Sequence, residues 1–430
     1  MTVGLLSLLA VLVLAFLRVP LAFALLSVSL GGIGVVMGWD VARSLVPMTI
    51  SEAVFSYELA VVPMFILMGN ILARTGISDD LFRAANAFLG PVRGGLALST
   101  MVTCAGFSAV CGSSLATAAT MSKVAYPSMK RYGYSDALAS ATIAAGGTLG
   151  ILIPPSIILM IYGILTQTNI GHLFVAGVVP GLLGLLMYLL VIYAVARISP
   201  QDAPRGERTT MAEKLHALRG VWPFTLLFVL IIGGLYGKLF TATEAAGMGA
   251  GLALILSMVQ GRMSWQDFRH IFIETATTSV MLYSVLFGAL LFAKLISFSG
   301  LGEGILELFN QAGLGPWGTI VAILVVFLLL GCVMDSLAII LICVPLFVPI
   351  LLAHGFDLVW FGIIVVVVTE IALITPPIGM NVFVLKATLP HVRLGAIFRG
   401  LTPFIAIDLV RLALLVIAPS VSLALVAFMK

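Results

Sequence analysis

The stretch CGSSLATAATMSKVAYPSMKRYGYSDALASATIAAGGTLGILIPPS, residues 111–156, decides the fold because the chain contains its layout twice. It begins with small polar residues and ends on a double proline inside an apolar segment. Residues 333–378, VMDSLAIILICVPLFVPILLAHGFDLVWFGIIVVVVTEIALITPPI, repeat it without a gap. The residues that coincide at a separation of 222 positions are Ser114 with Ser336, Leu115 with Leu337, Ala116 with Ala338, Pro127 with Pro349, Gly133 with Gly355, Pro154 with Pro376, and Pro155 with Pro377. We infer two copies of one structural unit and expect the function to lie where they meet.

The composition identifies an integral membrane protein. Of 430 residues, 61% are hydrophobic and only 9% are charged, and the mean hydropathy is +1.20. A soluble domain carries about a quarter charged residues, so this chain cannot cover a water-facing surface. At roughly 20 residues per span, the length allows about ten spans plus hairpins. The net charge of +4 does not indicate nucleic-acid binding. Residues 1–17 lack a basic leading segment and a cleavage site, so we interpret them as the first span.

The sequence offers no pattern typical of an enzyme or a metal centre. Its cysteines have no CxxC spacing and lie in apolar runs, which favours small buried thiols over a disulfide or metal site. These cysteines are Cys104, Cys111, Cys332 and Cys343. The five histidines are scattered without an HExxH pattern. An intramembrane enzyme would need such a motif, a GxSxG with a histidine, or two aspartates in facing spans, and we find none of these.

The apolar segments divide the chain into two halves of similar plan, which predicts an all-α polytopic membrane protein. In the first half we predict spans at 2–17, 20–38 and 58–74, a re-entrant hairpin at 92–131, a broken span at 135–166 and a span at 172–196. In the second half we predict spans at 222–237, 242–260 and 274–297, a hairpin at 314–353, a broken span at 357–386 and a last span at 399–427. Polar or amphipathic segments lie at 40–58, 78–90 and 263–272, and residues 197–220 form an aqueous linker between the halves.

Five crossings per half predict that the two repeats are inverted relative to each other. If the linker is cytoplasmic, most Lys and Arg residues of the short loops also lie inside, as the positive-inside rule requires. The exceptions are Arg43, Lys238 and Lys294. Both termini are then predicted outside, and the two hairpins enter the bilayer from opposite faces.

Each repeat offers oxygen atoms at two places, its hairpin tip and its broken span. A backbone break in hydrocarbon leaves N–H and C=O groups unpaired, so something must satisfy them. Helix C-termini and unwound carbonyls attract cations, and Na⁺ suits carbonyl, hydroxyl and carboxylate oxygens. We therefore predict one Na⁺ site per repeat. The candidate ligands are Gly112, Ser113, Ser114, Gly147, Thr148, Gly150 and Ile153 in the first repeat, and Asp335, Ser336, Thr369, Glu370 and Ala372 in the second.

An anionic substrate is predicted between the two tips. The prolines of the breaks remove N–H donors and prevent the helices from becoming continuous. The candidate substrate contacts are Ser113, Ser114, Pro154, Pro155, Ser336, Pro376, Pro377 and Asn381. The repeats differ in charge, because Asp335 takes the place of Ser113 and Glu370 that of Thr148. We therefore predict that the second ion site is the more strongly charged.

Simpler structural roles compete with these assignments. Serine and threonine in membrane helices often bond only the carbonyl one turn earlier, and small residues often only permit close packing. Glu370 could be a protonated or ion-paired structural group, although an ionisable residue inside a span is a functional candidate. Asp408 and Arg411, three residues apart in the last span, are interpreted as a helical ion pair.

Two segments resemble a known transporter family. GTLGILIPPSIILMIYGILTQTNIGHLFVAGVVPGLL, residues 147–183, is similar to the signature region of the large membrane subunit of tripartite ATP-independent periplasmic (TRAP) transporters. EIALITPPIGMNVFVL, residues 370–385, resembles its counterpart in the second half. The resemblance covers essentially the whole chain. It implies Na⁺-driven secondary uptake of an organic acid, such as a C4-dicarboxylate or sialic acid, across the bacterial inner membrane.

The resemblance also implies the elevator-type fold of the ion-transporter superfamily, with a scaffold and a mobile transport domain. The scaffold would comprise residues 1–91 and 221–312, the transport domain residues 92–197 and 313–430, and the cytoplasmic linker residues 198–220. The family Na⁺ sites lie at hairpin tips and helix breaks. They correspond here to Ser113, Ser114, Gly147, Thr148, Gly150, Asp335, Ser336, Thr369, Glu370 and Ala372.

Two protein partners are implied by the resemblance: a small four-span membrane subunit and a periplasmic substrate-binding protein. Because the chain lacks the four extra N-terminal spans of fused versions, we expect the small subunit to be a separate polypeptide. Two alternatives stay open. The chain could be a stand-alone divalent-anion/Na⁺ symporter of the same superfamily, or a proton-coupled carrier that uses Asp335 or Glu370.

Overall fold

The computed structural model describes residues 1–207 and 209–428, which form twenty α-helices and two short 3-10 helices. The first half contains α1 (Thr2–Phe16), α2 (Leu21–Met37), α3 (Trp39–Val54), α4 (Val61–Arg74), α5 (Ile77–Leu89), α6 (Gly95–Cys111), α7 (Ser114–Arg131), α8 (Asp136–Thr148), α9 (Ile157–Thr166) and α10 (Ile170–Ile198). The second half contains α11 (Met211–Tyr236), α12 (Ala242–Val259), α13 (Trp265–Ser299), α14 (Leu301–Gln311), α15 (Pro316–Gly331), α16 (Ser336–Ala353), α17 (Leu358–Ile374), α18 (Met380–Thr388), α19 (Leu394–Ile417) and α20 (Ser420–Ala427). The 3-10 helices are Tyr57–Ala60 and Leu149–Ile151.

Side-chain caps define where the helices of the repeated unit begin. A serine or aspartate oxygen accepts a hydrogen bond from a free backbone amide of the first turn, which would otherwise lack a partner. The capping residues are Ser113 for α7, Ser135 for α8, Ser156 for α9, Asp335 for α16 and Asp357 for α17. The hairpin tips therefore do more than reverse the chain, because each one also supplies the cap of the helix that follows.

The separation of 222 residues relates helices along most of the chain. α16 begins and ends at the positions that the start and end of α7 predict. The other helices that correspond are α2 with α12, α6 with α15, α8 with α17, α9 with α18 and α10 with α19. The hairpins and broken spans predicted from the sequence are thus present in both halves. The fold is all-α, as predicted.

The second half departs from the predicted plan at three places. The segment 263–272 and the span 274–297 form one continuous helix, α13, whereas their first-half counterparts α3 and α4 are separate. The span predicted to begin at 222 begins already at Met211, where Thr210 and Glu213 form a capping box. The predicted last span ends at Ile417, because Pro419 follows and α20 packs back against α10. Charged residues in these segments led us to predict polar connectors. The helices α11 and α13 instead begin at the capping residues Thr210 and Ser264 and include the charged residues.

Seven helices of the described residues are long and apolar enough to cross a membrane, or eight if the bent pair α14–α15 forms one span. Five shorter apolar helices accompany them: α1, α2, the start of α6, α9 and α17. The number falls below the predicted ten because each broken span contributes two short helices, and because α1 and α2, at 15 and 17 residues, are also short. The broken-span helices α8, α9 and α17 are largely buried by their neighbours, as broken helices at membrane depth must be.

The two halves exchange equivalent contacts. α2 packs against α13 and α12 packs against α4, so each half covers the corresponding helix of the other. Likewise, α7 of the first hairpin packs against α18, and α16 of the second hairpin packs against α9. A contact of i with j that recurs as j with i is the signature of a two-fold arrangement. The hairpins and breaks therefore lie where the repeats meet, as the sequence led us to expect.

Candidate functional site

The first hairpin tip is the turn between α6 and α7. Gly112 adopts a left-handed conformation with φ of 60°, which favours glycine. Ser113 is half-buried and extended, and its Oγ accepts a hydrogen bond from the backbone amide of Ala116 at 3.3 Å. A Cβ atom on Gly112 would lie 3.1 Å from Ile157 at the start of α9. The tip is therefore held directly against the helix that follows the first break.

The first break lies between α8 and α9 and touches this tip. α8 ends at Thr148, a 3-10 turn follows, and the cis-linked Pro154 and Pro155 precede Ser156. A Cβ atom on Gly147 would lie 3.0 Å from the carbonyl oxygen of Ser114, so only a small residue permits this approach. Of the predicted first-repeat ligands, Ser114 and Gly147 are thus brought together, whereas Gly150 packs on Ser108 and Ile153 on Gly181.

The second hairpin tip repeats this geometry with a carboxylate. Asp335 is half-buried and extended, and its Oδ2 accepts a hydrogen bond from the amide of Leu337 at 3.2 Å. It lines a cavity of about 250 Å³ whose other wall comes from the end of α1 and the start of α2, including Phe16 and Leu21. Ser336 is buried as the first residue of α16. The charged tip therefore faces a cavity between the two halves of the chain.

The second break also contacts its own tip. A Cβ atom on Gly331 would collide with Ala372, and the amide of Gly379 donates to the carbonyl of Cys332 at 3.3 Å. Gly379 has φ of 63°, which lets the chain turn sharply into α18. The prolines of the two breaks differ in accessibility: Pro154 and Pro155 are buried, whereas Pro376 and Pro377 are exposed.

The threonines of the breaks form the simple helical bonds that compete with a ligand role. Thr148 Oγ1 donates to the carbonyl of Ala145 at 2.7 Å, and Thr369 Oγ1 donates to that of Val365 at 2.7 Å. A hydroxyl that donates in this way keeps its lone pairs for a cation. Together with tip and break carbonyls, these oxygens suit Na⁺, and the Asp335 carboxylate adds a charge in the second repeat. Within the described residues, no group of three or more His, Cys, Asp or Glu side chains could hold a metal ion.

Asn381 connects the two repeats instead of lining the tip cavity. Its side-chain nitrogen donates to the carbonyl of Ala144 in α8 at 3.2 Å. The side chain is fully buried, and its Oδ1 has no partner among the described residues. The predicted substrate contact thus holds α18 against α8.

Glu370 belongs to a buried charged cluster. Arg411 Nη2 lies 2.7 Å from Glu370 Oε2 and 3.1 Å from Asp408 Oδ1, and Tyr188 donates to Asp408 Oδ2. All four side chains have almost no exposure. The helical pair predicted for Asp408 and Arg411 is present, and Glu370 is ion-paired as the structural alternative required. A Na⁺ role for Glu370 rests on its Oε1, which has no partner among the described residues.

The cluster joins three helices and fits only because one of them carries a glycine. Tyr188 comes from α10, Glu370 from α17, and the other two residues from α19. A Cβ atom on Gly184 of α10 would collide with Nη1 of Arg411 and lie 3.2 Å from Leu149 in the first break. Neither Tyr188 nor the Glu370–Arg411 contact was predicted from the sequence. The available signal was that three charged residues in apolar helices must neutralise one another.

The sequence matches the family described as "Tripartite ATP-independent periplasmic transporter, DctM component" over residues 8–421. It is 38% identical over 387 residues to the C4-dicarboxylate TRAP transporter large permease protein DctM of Pseudomonas aeruginosa, which covers 90% of each chain. It is 36% identical to the ectoine TRAP transporter large permease protein TeaC of Halomonas elongata, over 86% of each chain. It is 29% identical to the sialic acid TRAP transporter large permease protein SiaM of Vibrio cholerae, over 96% of each chain.

Solved structures of two transporters share the fold. The YdaH transporter of Alcanivorax borkumensis aligns with a TM-score of 0.64 at 14% identity, over 90% of each chain. MtrF of Neisseria gonorrhoeae aligns with a TM-score of 0.58 at 13% identity, over 89% of this chain and 84% of that chain. At these identities the likeness concerns the polytopic all-α architecture alone.

Proposed function

The chain belongs to the DctM family of TRAP transporter large permeases, which are secondary transporters and not enzymes, and we propose that it couples uptake of an organic-acid anion to Na⁺. The observation that carries the proposal is the contact between hairpin tip and helix break, made once in each repeat. Such a place concentrates unpaired carbonyls and hydroxyls where hydrocarbon offers no other partner.

Two Na⁺ ions are proposed, one per repeat. The first would be held by neutral oxygens of Ser113, Ser114 and the Gly147–Gly150 segment. The second would be held by Asp335, Ser336 and the Thr369–Ala372 segment. Na⁺ bound at the tips neutralises the carboxylate and adds positive potential, which favours an anionic substrate beside it.

The substrate is proposed to lie beside the second tip, in the cavity that Asp335 lines. Ser336, which follows Asp335, and the exposed Pro376 and Pro377 of the second break are candidate contacts outside the residues that line this cavity. Ser113, Ser114, Pro154, Pro155 and Asn381 are candidates for a conformation in which the first tip opens. The names of the relatives cover dicarboxylate, ectoine and sialic acid. For this chain we propose a small carboxylate-bearing solute.

Movement of the transport domain past the scaffold is proposed to carry the site across the membrane. A cleft of about 470 Å³ separates Ala53 and Leu290 on the scaffold side from Ile164 and Gln167 on the transport side. This cleft would allow relative motion. Cross-linking Ala53→Cys to Gln167→Cys with a cleavable bifunctional thiol reagent should stop uptake. Cleaving this cross-link should restore uptake. Undiminished uptake by the joined protein would contradict the elevator mechanism.

TRAP large subunits work with a small permease and a substrate-binding protein, and for this chain we propose a separate four-span small subunit and a periplasmic binding protein. The family implies an inner-membrane location, and we propose that both termini are periplasmic because of the positive-inside pattern. The stand-alone symporter alternative predicts instead that the chain transports without partner proteins. If the purified chain alone took up substrate in liposomes, the requirement for partners would be wrong.

The direct experiment is uptake of a labelled C4-dicarboxylate by proteoliposomes that contain the chain, its small subunit and the binding protein. We expect uptake with an inward Na⁺ gradient and none with a K⁺ gradient of the same size. A pH gradient without Na⁺ is the control for the proton-coupled alternative. Uptake driven by that gradient alone would exclude Na⁺ as the coupling ion.

A further inference from the structure

A large basic cleft lies outside the transport site, between α5 and the first turns of α11. Its volume is about 850 Å³. Arg83 of α5 lines one wall, His216 and Arg219 of α11 line the other, and Arg262 from the turn before α13 closes the base with Asp80. Three arginines and a histidine at one cleft indicate a site for an anion.

The acidic residues of the cleft are already occupied. Asp80 is nearly buried, and its carboxylate accepts from Arg262 and lies 3.9 Å from Arg83. Gly220 lets α11 approach it, because a Cβ atom there would lie 3.3 Å from Asp80 Cγ. Glu213 accepts from the amide of Thr210 at 2.7 Å in the capping box. The three arginines still outnumber the two carboxylates of the lining, so the cleft keeps an excess of positive charge.

The cations at the mouth of the cleft are available to a ligand. The Arg83 side chain is 74% exposed, and its 3.9 Å approach to Asp80 is too long for a hydrogen bond. Arg219 is exposed and has no ion-pair or hydrogen-bond partner among the described residues. Guanidinium groups bind phosphate through paired N–H donors, which makes this pair of arginines suited to a phosphodiester.

The position of the cleft indicates that the phosphate belongs to a lipid headgroup. α11 passes from its polar first turns into the apolar span at Trp222, which is 51% exposed, as is usual at a membrane interface. Leu215 and Leu218, in the same turns as His216 and Arg219, are also exposed. The cleft lies on the predicted cytoplasmic face, where basic pockets meet anionic headgroups.

We propose that this cleft binds the phosphate headgroup of an anionic phospholipid. Arg83 and Arg219 hold the phosphate, and His216 adds a hydrogen bond from the same helix. Arg262 stays on Asp80 and keeps α5 and α11 at the spacing that the headgroup requires. Bound lipid would thereby tie the amphipathic α5 to α11 at the membrane surface.

The test is native mass spectrometry of the full chain in detergent, titrated with phosphatidylglycerol and, separately, with phosphatidylcholine. We expect one tightly bound phosphatidylglycerol and no comparable phosphatidylcholine. R83Q/R219Q should weaken phosphatidylglycerol binding about 30-fold, because each arginine near the headgroup contributes about a factor of five. The matched control is R269Q/R393Q, which removes two exposed arginines that lie outside the cleft and should leave binding unchanged.

Other outcomes would overturn the proposal. Equal loss in R269Q/R393Q would show attraction to the overall charge of the chain. Inorganic phosphate that binds lipid-free protein as tightly as phosphatidylglycerol would indicate a free-anion site. Loss of the bound lipid on adding the small subunit would indicate a protein interface. If the double variant does not fold, R219Q alone should still lower the affinity about fivefold.

Discussion

The two hairpin-and-break units share a backbone but differ in charge and accessibility. In the first unit Ser113 caps α7, the second helix of the first hairpin, and the break prolines are buried. In the second unit Asp335 is the cap and lines a cavity, and the break prolines are exposed. Backbone geometry is therefore common to both units, whereas the side chain at the tip sets the charge of each proposed ion site.

The charged cluster sharpens the same contrast. Glu370, Asp408 and Arg411 occupy positions whose first-repeat equivalents, 222 residues earlier, are Thr148, Leu186 and Leu189. Only the second repeat therefore carries this triad. Ionised and without a further proton or cation, it would hold two negative charges against one positive charge, which is costly in a dry interior.

The largest effect is expected when the cluster is broken. R411L installs the first-repeat residue and leaves two buried carboxylates without a counter-ion, which should cost about 3–5 kcal/mol of folding stability. The triple variant E370T/D408L/R411L gives the second repeat the residues of the first and should recover most of that loss. Thermal unfolding of the detergent-solubilised protein measures both. A triple variant as unstable as R411L would show that the pairing is not the cause.

Removing the tip carboxylate should have the next largest effect. D335N keeps the size of the side chain but loses the charge, so we expect Na⁺ affinity to fall roughly 30-fold, which corresponds to about 2 kcal/mol. The measurement is the Na⁺ dependence of uptake. D357N is the matched control, because Asp357 caps α17 in the same way but lies away from both tips. An unchanged Na⁺ response in D335N would exclude Asp335 as a ligand.

The neutral tip should respond less. S113A removes one hydroxyl ligand and one helix cap, and we expect about fivefold weaker Na⁺ dependence, or about 1 kcal/mol. Ser135 caps α8 in the same way, because its Oγ accepts a hydrogen bond from the amide of Leu138 at 3.3 Å. S135A should therefore lower stability without changing the Na⁺ response. If the two variants behaved alike in uptake, a purely structural role for Ser113 would be the better explanation.

The smallest effect concerns charge at the end of the first hairpin. Lys130 lies 2.7 Å from Asp136 and, together with Tyr126, lowers the pKa of that carboxyl below its usual value. Because the pKa of Asp136 is lower in the folded state than in the unfolded state, its ion pair stabilises the fold at neutral pH. This contribution to folding stability is lost only as the pH falls below the ordinary value of about 3.8.

D136N should therefore cost about 0.5 kcal/mol at pH 7, since the pair is partly exposed. The variant should also show a smaller loss of stability than the native chain when the pH is lowered through 3.8. The equivalents in the second repeat are Leu352 and Leu358, so no matching pair exists there. Equal acid sensitivity of the two proteins would contradict the assignment to Asp136.

Much of the fold followed from local sequence. The double prolines and the tip residues located both hairpins and both breaks, because proline cannot donate and small polar residues at a chain reversal favour the start of a new helix. The continuous α13 and the early start of α11 were not foreseen. There, polar residues in an amphipathic helix look like a connector until packing and capping are known.

The contact between tip and break could be predicted in part. The sequence placed tip and break in one unit, and the structure brings their backbones close together at Gly147 and Gly331. Asn381 and Glu370 were assigned to ligands from their positions, yet each also has a protein partner far away in the chain. Those partners, Ala144 and Arg411, belong to other helices and could not be read from spacing.

By itself, the sequence determined the membrane class, the internal repeat, the helix breaks and the family, because hydropathy, register and proline chemistry are local properties of the chain. Only the tertiary structure decided which carboxylate is paired and which faces a cavity. Glu370 and Asp335 are both acidic residues at the ends of the repeated unit. Folding placed Arg411 beside one and left the other beside open space, because neutralising a buried charge depends on neighbours that are distant in sequence.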